Sequence, residues 1–148
     1  PGMGSATAGV HTPHATASPI ADMVRDSRPA GSPQDEPMVP HGQSVSLTAP
    51  EAFRFSFESA PERHLRAAAL LAPDAPKTDP AEQLPSILVS LMRDIGIPNG
   101  IGGVGYTEDD VPDLVPGTMK QQRLLATCPR TPTEDDIAGI LTRSVENW

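Results

Sequence analysis

This chain of 148 residues is poor in the residue types that usually anchor a small domain. It has one cysteine, one tryptophan, one tyrosine and three phenylalanines. A lone Cys128 excludes an internal disulfide and suits a reducing compartment; beside Pro129 it reads as a loop thiol rather than a nucleophile. With aromatics at 3%, the core must be built from Leu, Ile, Val, Ala and Met. Basic residues are scarce too, 11 against 19 acidic ones. The resulting net charge of −8 argues against a nucleic-acid partner or an anionic membrane surface. No apolar run approaches a membrane span, and no charged-then-apolar leader opens the sequence. An initiator methionine is also missing at Pro1, so the expectation is the carboxy-terminal piece of a longer protein, residues 1–148 forming one domain. Proline, in contrast, is abundant at 18 residues, and is expected in loops or first helical turns.

The apolar residues follow helical spacing. Leu84, Ile87, Leu88, Leu91, Met92 and Ile95 recur at intervals of three and four between Pro80 and Ile97, predicting one amphipathic helix with that stripe in the core, ended by Gly96 and Pro98. Pro61 opens another helix that Pro73 ends; His64 lies on it between arginines, where a solvated face is expected. Thr107-Glu-Asp-Asp opens a helix with Val111, Leu114 and Val115 inside. Thr131 or Thr133 caps the last helix, which buries Ile137, Ile140, Leu141 and Val145. Acidic groups in these first turns complement helix dipoles and are not read as catalytic. A short helix fits from His11 to about Met23, its length limited by Pro13 and Pro19. Two more are expected up to Thr48 and from Pro50. Residues 25–40 are polar and proline-rich, a flexible loop by composition, and residues 1–10 look frayed. The fold class is therefore all-α, a bundle of about five to seven helices.

Gly100-Ile-Gly102-Gly-Val-Gly105 formally matches the dinucleotide fingerprint G-x-G-x-x-G. That fingerprint needs a preceding strand and a helix starting within it. Here an amphipathic helix precedes and an acidic Thr-Glu-Asp-Asp follows, which would repel a pyrophosphate, so a loop between helices is the better reading.

Three of the four histidines fall between Gly9 and Gly42. His11 and His14 are three apart, one helical turn, and so share a face. His41 stands between Pro40 and Gly42, at a helix entrance. Neutral imidazoles converging on one point would suit a divalent transition metal, although a bare His-x-x-His pair is more often a chance surface pairing.

The text around the histidines carries more information than their spacing. Gly-Val-His-x-x-His (9–14), Val-Pro-His-Gly-x-Ser-Val-x-Leu-Thr (39–48), Pro-Glu-Arg-His-Leu (61–65), Gly-Tyr (105–106), Asp-Val-Pro-x-Leu-Val-x-Gly-Thr (110–118) and Gln-x-Arg-Leu (121–124) together resemble the carboxy-terminal helical domain of the iron-containing (group III) alcohol dehydrogenases, with a dehydroquinate synthase-like fold. Within that family the hydroxyacid–oxoacid transhydrogenase branch is the nearer match. The resemblance implies a metal, iron(II) or alternatively zinc, held by an aspartate and three histidines. His14 and His41 match two of the histidines; the other two ligands are expected upstream of Pro1. His11 would line the pocket or hold a water behind the ligands. Ser18 stands where many relatives have a further pocket histidine, and Ala15 and Thr16 replace the usual Gly-Met.

The implied chemistry is hydride transfer between a hydroxyl carbon and a nicotinamide, NAD(P), bound mainly by a separate amino-terminal domain; in the transhydrogenase branch the hydride passes from 4-hydroxybutyrate to 2-oxoglutarate. An ordinary NAD(P)-linked alcohol dehydrogenase and a non-catalytic helical binding domain are the alternatives. The expected partner is a small hydroxy acid or alcohol, a homo-oligomer is compatible, and the setting would be cytoplasmic, or the mitochondrial matrix in a eukaryote. The 148 residues alone are expected to be inactive.

Overall fold

A computed structural model describes residues 10–32, 34–76 and 79–148. Among them there is no strand; eight α-helices follow one another as α1 (Thr12–Asp22), α2 (His41–Leu47), α3 (Ala49–Ser56), α4 (Pro61–Leu71), α5 (Pro80–Asp94), α6 (Val111–Met119), α7 (Gln122–Leu125) and α8 (Glu134–Arg143). Single 3-10 turns occupy Phe57–Ser59, Gly102–Val104 and Glu108–Asp110. The all-helical expectation holds, with more and shorter helices than expected. The expectation for residues 1–9 lies outside the described residues.

Local chemistry explains most of the boundaries. Pro40 is extended (φ −54°, ψ 139°), so α2 cannot begin before His41. Between the two candidate caps of α8 the structure selects Thr133, whose Oγ1 accepts from Asp136 N at 3.2 Å while its N–H donates to Asp136 Oδ2 at 2.9 Å. At the end of α5, Gly96 at φ +76° allows Ile97 N to reach back to Met92 O and Gly96 N to Arg93 O, satisfying two terminal carbonyls. Prolines depart from their expected places. Besides the first turns of helices they sit inside α1 (Pro19), α5 (Pro85) and α6 (Pro116). Pro19 therefore does not end α1, which runs on to Asp22. The flat ring of Pro19 instead marks a close crossing, since a Cβ added at Gly117 of α6 would lie 2.8 Å from Pro19 Cβ.

The helices form two groups. Around α1 gather α2 and α6, with α8 behind α6; their core consists of Ile20, Leu47, Leu114, Ile137, Ile140 and Leu141, none with any exposed surface, together with Ile101, Val104 and Tyr106 from the glycine-rich loop. Each large side chain buried in this set contributes roughly 1.5–3 kcal/mol. In the second group α5 lies across α3 and α4. α3 joins the groups: buried Glu51 accepts from Arg54 on its own helix and, at 2.8 Å, from Arg143 of α8, while Arg54 also donates to Glu82 of α5 at 2.6 and 2.7 Å.

The long stripe on α5 is only half covered. Leu84 and Met92 are buried, but Leu91 and Ile95 are 47% and 64% exposed. Leu70 and Leu71 of α4 are exposed as well. Between α4 and α5 this leaves an apolar groove of about 470 Å³ lined by residues such as Ala68, Ala72, Ile87 and Leu91, and by no histidine. No helix among the described residues is long and apolar enough to cross a membrane.

Candidate metal centre

The crossing of α1 and α2 assembles the histidine site. Both helices are lined with small residues where they meet: Ala15 and Ala17 are fully buried, and Thr16 Oγ1 bonds to Thr12 O (3.2 Å) and Pro13 O (3.0 Å) within α1 and to Thr48 Oγ1 (2.7 Å) at the end of α2. At the start of the two helices the imidazoles of His14 and His41 meet with centroids 5.5 Å apart and planes at 62°. His14 is half-buried and His41 exposed, so the pair opens outward on one side.

His11 is the N-cap residue of α1, one turn before His14, and its carbonyl accepts from His14 N at 2.8 Å. Its ring meets Phe53 of α3 edge to face, with centroids 5.8 Å apart and planes at 87°. On the other side Phe53 meets His64 of α4 at 5.7 Å, and His64 is covered in turn by Phe57 at 5.7 Å. The Nδ1 atoms of His11 and His64 are buried with no hydrogen-bond partner. His64 is thus not on a solvated face; it is 7% exposed, with its Nε2 3.4 Å from Ser56 Oγ. The arginines that suggested solvation, Arg63 and Arg66, do point outward, while His64 and Ala68, one turn apart, form the buried edge of α4. Two of the three phenylalanines, Phe53 and Phe57, close on this one histidine, a contact the sequence alone does not reveal. Ser18 lies one turn beyond His14 on α1, half-buried on the same side of the helix.

Burial holds His11, His14 and His64 below the usual imidazole value of 6.5, with neighbouring imidazoles adding to the effect, His14 and His64 on His11 and His41 on His14. Neutral imidazole is the metal-binding form, so the environment favours ligation. It also fixes a sign for stability. The folded state releases these protons more readily than the unfolded chain, so their contribution is fully present above pH 6.5 and lost as pH falls through the depressed folded values. The melting temperature of the metal-free protein is therefore expected to decline between pH 7 and 5, before carboxylates begin to protonate; a melting temperature constant over that interval would contradict it.

Among the described residues no group of three or more His, Cys, Asp or Glu side chains comes together as a metal-binding set. The pair His14–His41 fits half of a four-ligand site: two imidazoles on adjoining helices, with the open side left for oxygen or nitrogen ligands from elsewhere. The glycine-rich segment is not near a nucleotide-binding geometry. It follows α5, forms a 3-10 turn and docks on the end of α8, where Ile101 N and Gly102 N donate to Ser144 O and Val145 O.

Comparison with known proteins agrees with this architecture. The model of the Fe-containing alcohol dehydrogenase family, C-terminal, matches residues 36–145, and the chain belongs to that family. It is 39% identical over 149 residues to the mitochondrial hydroxyacid-oxoacid transhydrogenase of Xenopus tropicalis and 36% identical over 151 residues to that of Homo sapiens, in each case over 98% of this chain and 32% of the relative. The chain thus spans about a third of the length of these relatives. Two solved structures share its fold: 1,3-propanediol oxidoreductase (TM-score 0.70, 24% identity) and a mutant of an archaeal halo-thermophilic alcohol dehydrogenase from a Red Sea brine pool (TM-score 0.73, 20% identity). Each match covers 92% of this chain and 33% of the other.

Proposed function

We propose that this chain supplies two ligands, His14 and His41, to the metal of an oxidoreductase that transfers hydride between a hydroxy acid and a nicotinamide. The observation that carries the reading is the 5.5 Å approach of these two imidazoles at the α1–α2 crossing, in a chain similar over nearly its whole length to proteins named hydroxyacid-oxoacid transhydrogenase. A divalent metal, iron(II) or zinc, would polarise the substrate oxygen as a Lewis acid.

The chain's own residues have narrower tasks. The buried Thr16–Thr48 hydrogen bond ties α1 to the far end of α2. Burial keeps His14 neutral and so available to a metal. The nicotinamide and the remaining ligands would be held by residues outside this chain. By the same similarity the hydride donor would be 4-hydroxybutyrate and the acceptor 2-oxoglutarate, and the compartment would be the mitochondrial matrix if the source is eukaryotic and the cytoplasm otherwise.

The test uses the complete protein, purified with its metal and without added nucleotide. Reduction of 2-oxoglutarate coupled to oxidation of 4-hydroxybutyrate is the expected result. Turnover only when NAD or NADP is supplied in stoichiometric excess would replace the transhydrogenase by an ordinary alcohol dehydrogenase. Absence of bound metal and of any hydride transfer would leave a helical binding domain. The 148 residues alone are expected to give no turnover.

A further inference from the structure

Outside the His14–His41 pair, the described residues include a column of stacked rings, His11–Phe53–His64–Phe57, which reaches from the first turn of α1 across α3 to α4. It contains two of the four histidines and two of the three phenylalanines. We propose that His11 is a substrate-side hydrogen-bonding group beside the His14–His41 pair, and that Phe53, backed by His64, is the positioning residue that holds its imidazole there. The inference rests on the hydride-transfer reading above.

Three observations support it. His11 caps the helix that carries His14 and lies one turn before it, so a group bound at the metal pair is within a side chain's reach of His11. Its Nδ1 is enclosed without a partner. With Nδ1 enclosed, Nε2 is the nitrogen left to meet a substrate hydroxyl or carboxylate. Finally, the ring is held in place by shape. It stands at 87° to Phe53, and Phe53 is itself wedged at 76° against a His64 ring that Phe57 and Ser56 fix from behind. Edge-to-face contacts of this kind are directional, so an aliphatic side chain of similar volume would fill the space without orienting the imidazole.

The experiment is a double-mutant cycle in the complete, metal-loaded protein with His11→Gln, Phe53→Leu and the two combined, and with His64→Gln as a second, milder probe of the column. Misplacing a group that touches the substrate costs on the order of tenfold to a hundredfold in kcat/KM. Each single replacement is expected to show that loss with metal content and melting temperature close to wild type, and the combined variant is expected to be no worse than His11→Gln alone. A readout independent of turnover is the proton resonance of the His11 ring, displaced in the wild type by the Phe53 ring current and returned towards its ordinary position by Phe53→Leu. Additive losses in the cycle, or a His11 resonance that Phe53→Leu does not move, would overturn the proposal. If the metal-loaded wild type transfers no hydride, the functional reading falls and the substrate role of His11 with it, while the resonance still decides whether Phe53 holds the ring.

Discussion

His14→Ala and His41→Ala are each expected to empty the metal site of the complete protein while leaving its fold in place. The two imidazoles project from the first turns of adjoining helices; one is half-buried and the other exposed, and neither fills the apolar core. Removing them therefore creates no cavity among Leu47, Leu114 and Ile137, and the stability of the metal-free protein should change by no more than the roughly 0.5 kcal/mol typical of surface substitutions. Metal binding should change far more. Altering only the groups that support a ligand costs about tenfold to a hundredfold in affinity, and deleting the ligand itself should cost at least that. The measurement is metal per protomer after equal dialysis against a weak chelator, with circular dichroism as a check on folding. His64→Ala serves as the contrast, since His64 is walled off behind Phe53 and Phe57 and should leave the metal content unchanged. Wild-type metal content in both His14→Ala and His41→Ala would place the ligands elsewhere and remove the basis of the functional reading.

How much of this was legible in the sequence differs from element to element. The last helix was readable because local signals agreed: Thr133 and Asp136 form the cap, and Ile137, Ile140 and Leu141 at helical spacing are all fully buried. The stripe on α5 was readable as a helix but not as a core. Periodicity reports that a face is apolar, and what covers it depends on neighbours the stripe does not encode; Leu91 and Ile95 stay exposed. For His64 the arginines on either side were misleading, since adjacent positions on a helix point in different directions and do not describe one another's surroundings. His14 and His41 are separated by 27 positions, and no local rule brings them together. Their approach follows from the packing of α1 on α2 through Ala15, Thr16 and Thr48, small or hydroxylated residues whose significance is tertiary. Only the surrounding text, Pro-His-Gly above all, pointed to the pair in advance.

The glycine-rich segment supplies the second large effect. Gly100→Ala is expected to destabilise the protein by roughly 3–5 kcal/mol, from about 1–2 kcal/mol for a left-handed backbone in a residue with a Cβ and about 1 kcal/mol or more for each of two disrupted hydrogen bonds. Gly100 has φ +61°, and a Cβ there would lie 2.3 Å from Ser144 O and 2.5 Å from Val145 O. Those carbonyls at the end of α8 accept from Ile101 N at 2.8 Å and Gly102 N at 2.9 Å, so relieving the overlap pulls the loop off the helix. Ile101, Val104 and Tyr106, all buried, would shift with it, and the Tyr106 hydroxyl that donates to Ile20 O at 2.7 Å carries the disturbance to α1. Gly96→Ala is the internal control. Its φ of +76° imposes the same backbone cost, but nothing lies within 4 Å of the added Cβ, so only about 1–2 kcal/mol should be lost. Urea denaturation of the two variants separates strain from collision. Equal midpoints would mean that the loop does not depend on its close approach to α8, whereas a clearly lower midpoint for Gly100→Ala accounts for a glycine run that resembles a nucleotide fingerprint and serves instead to fasten two helices together.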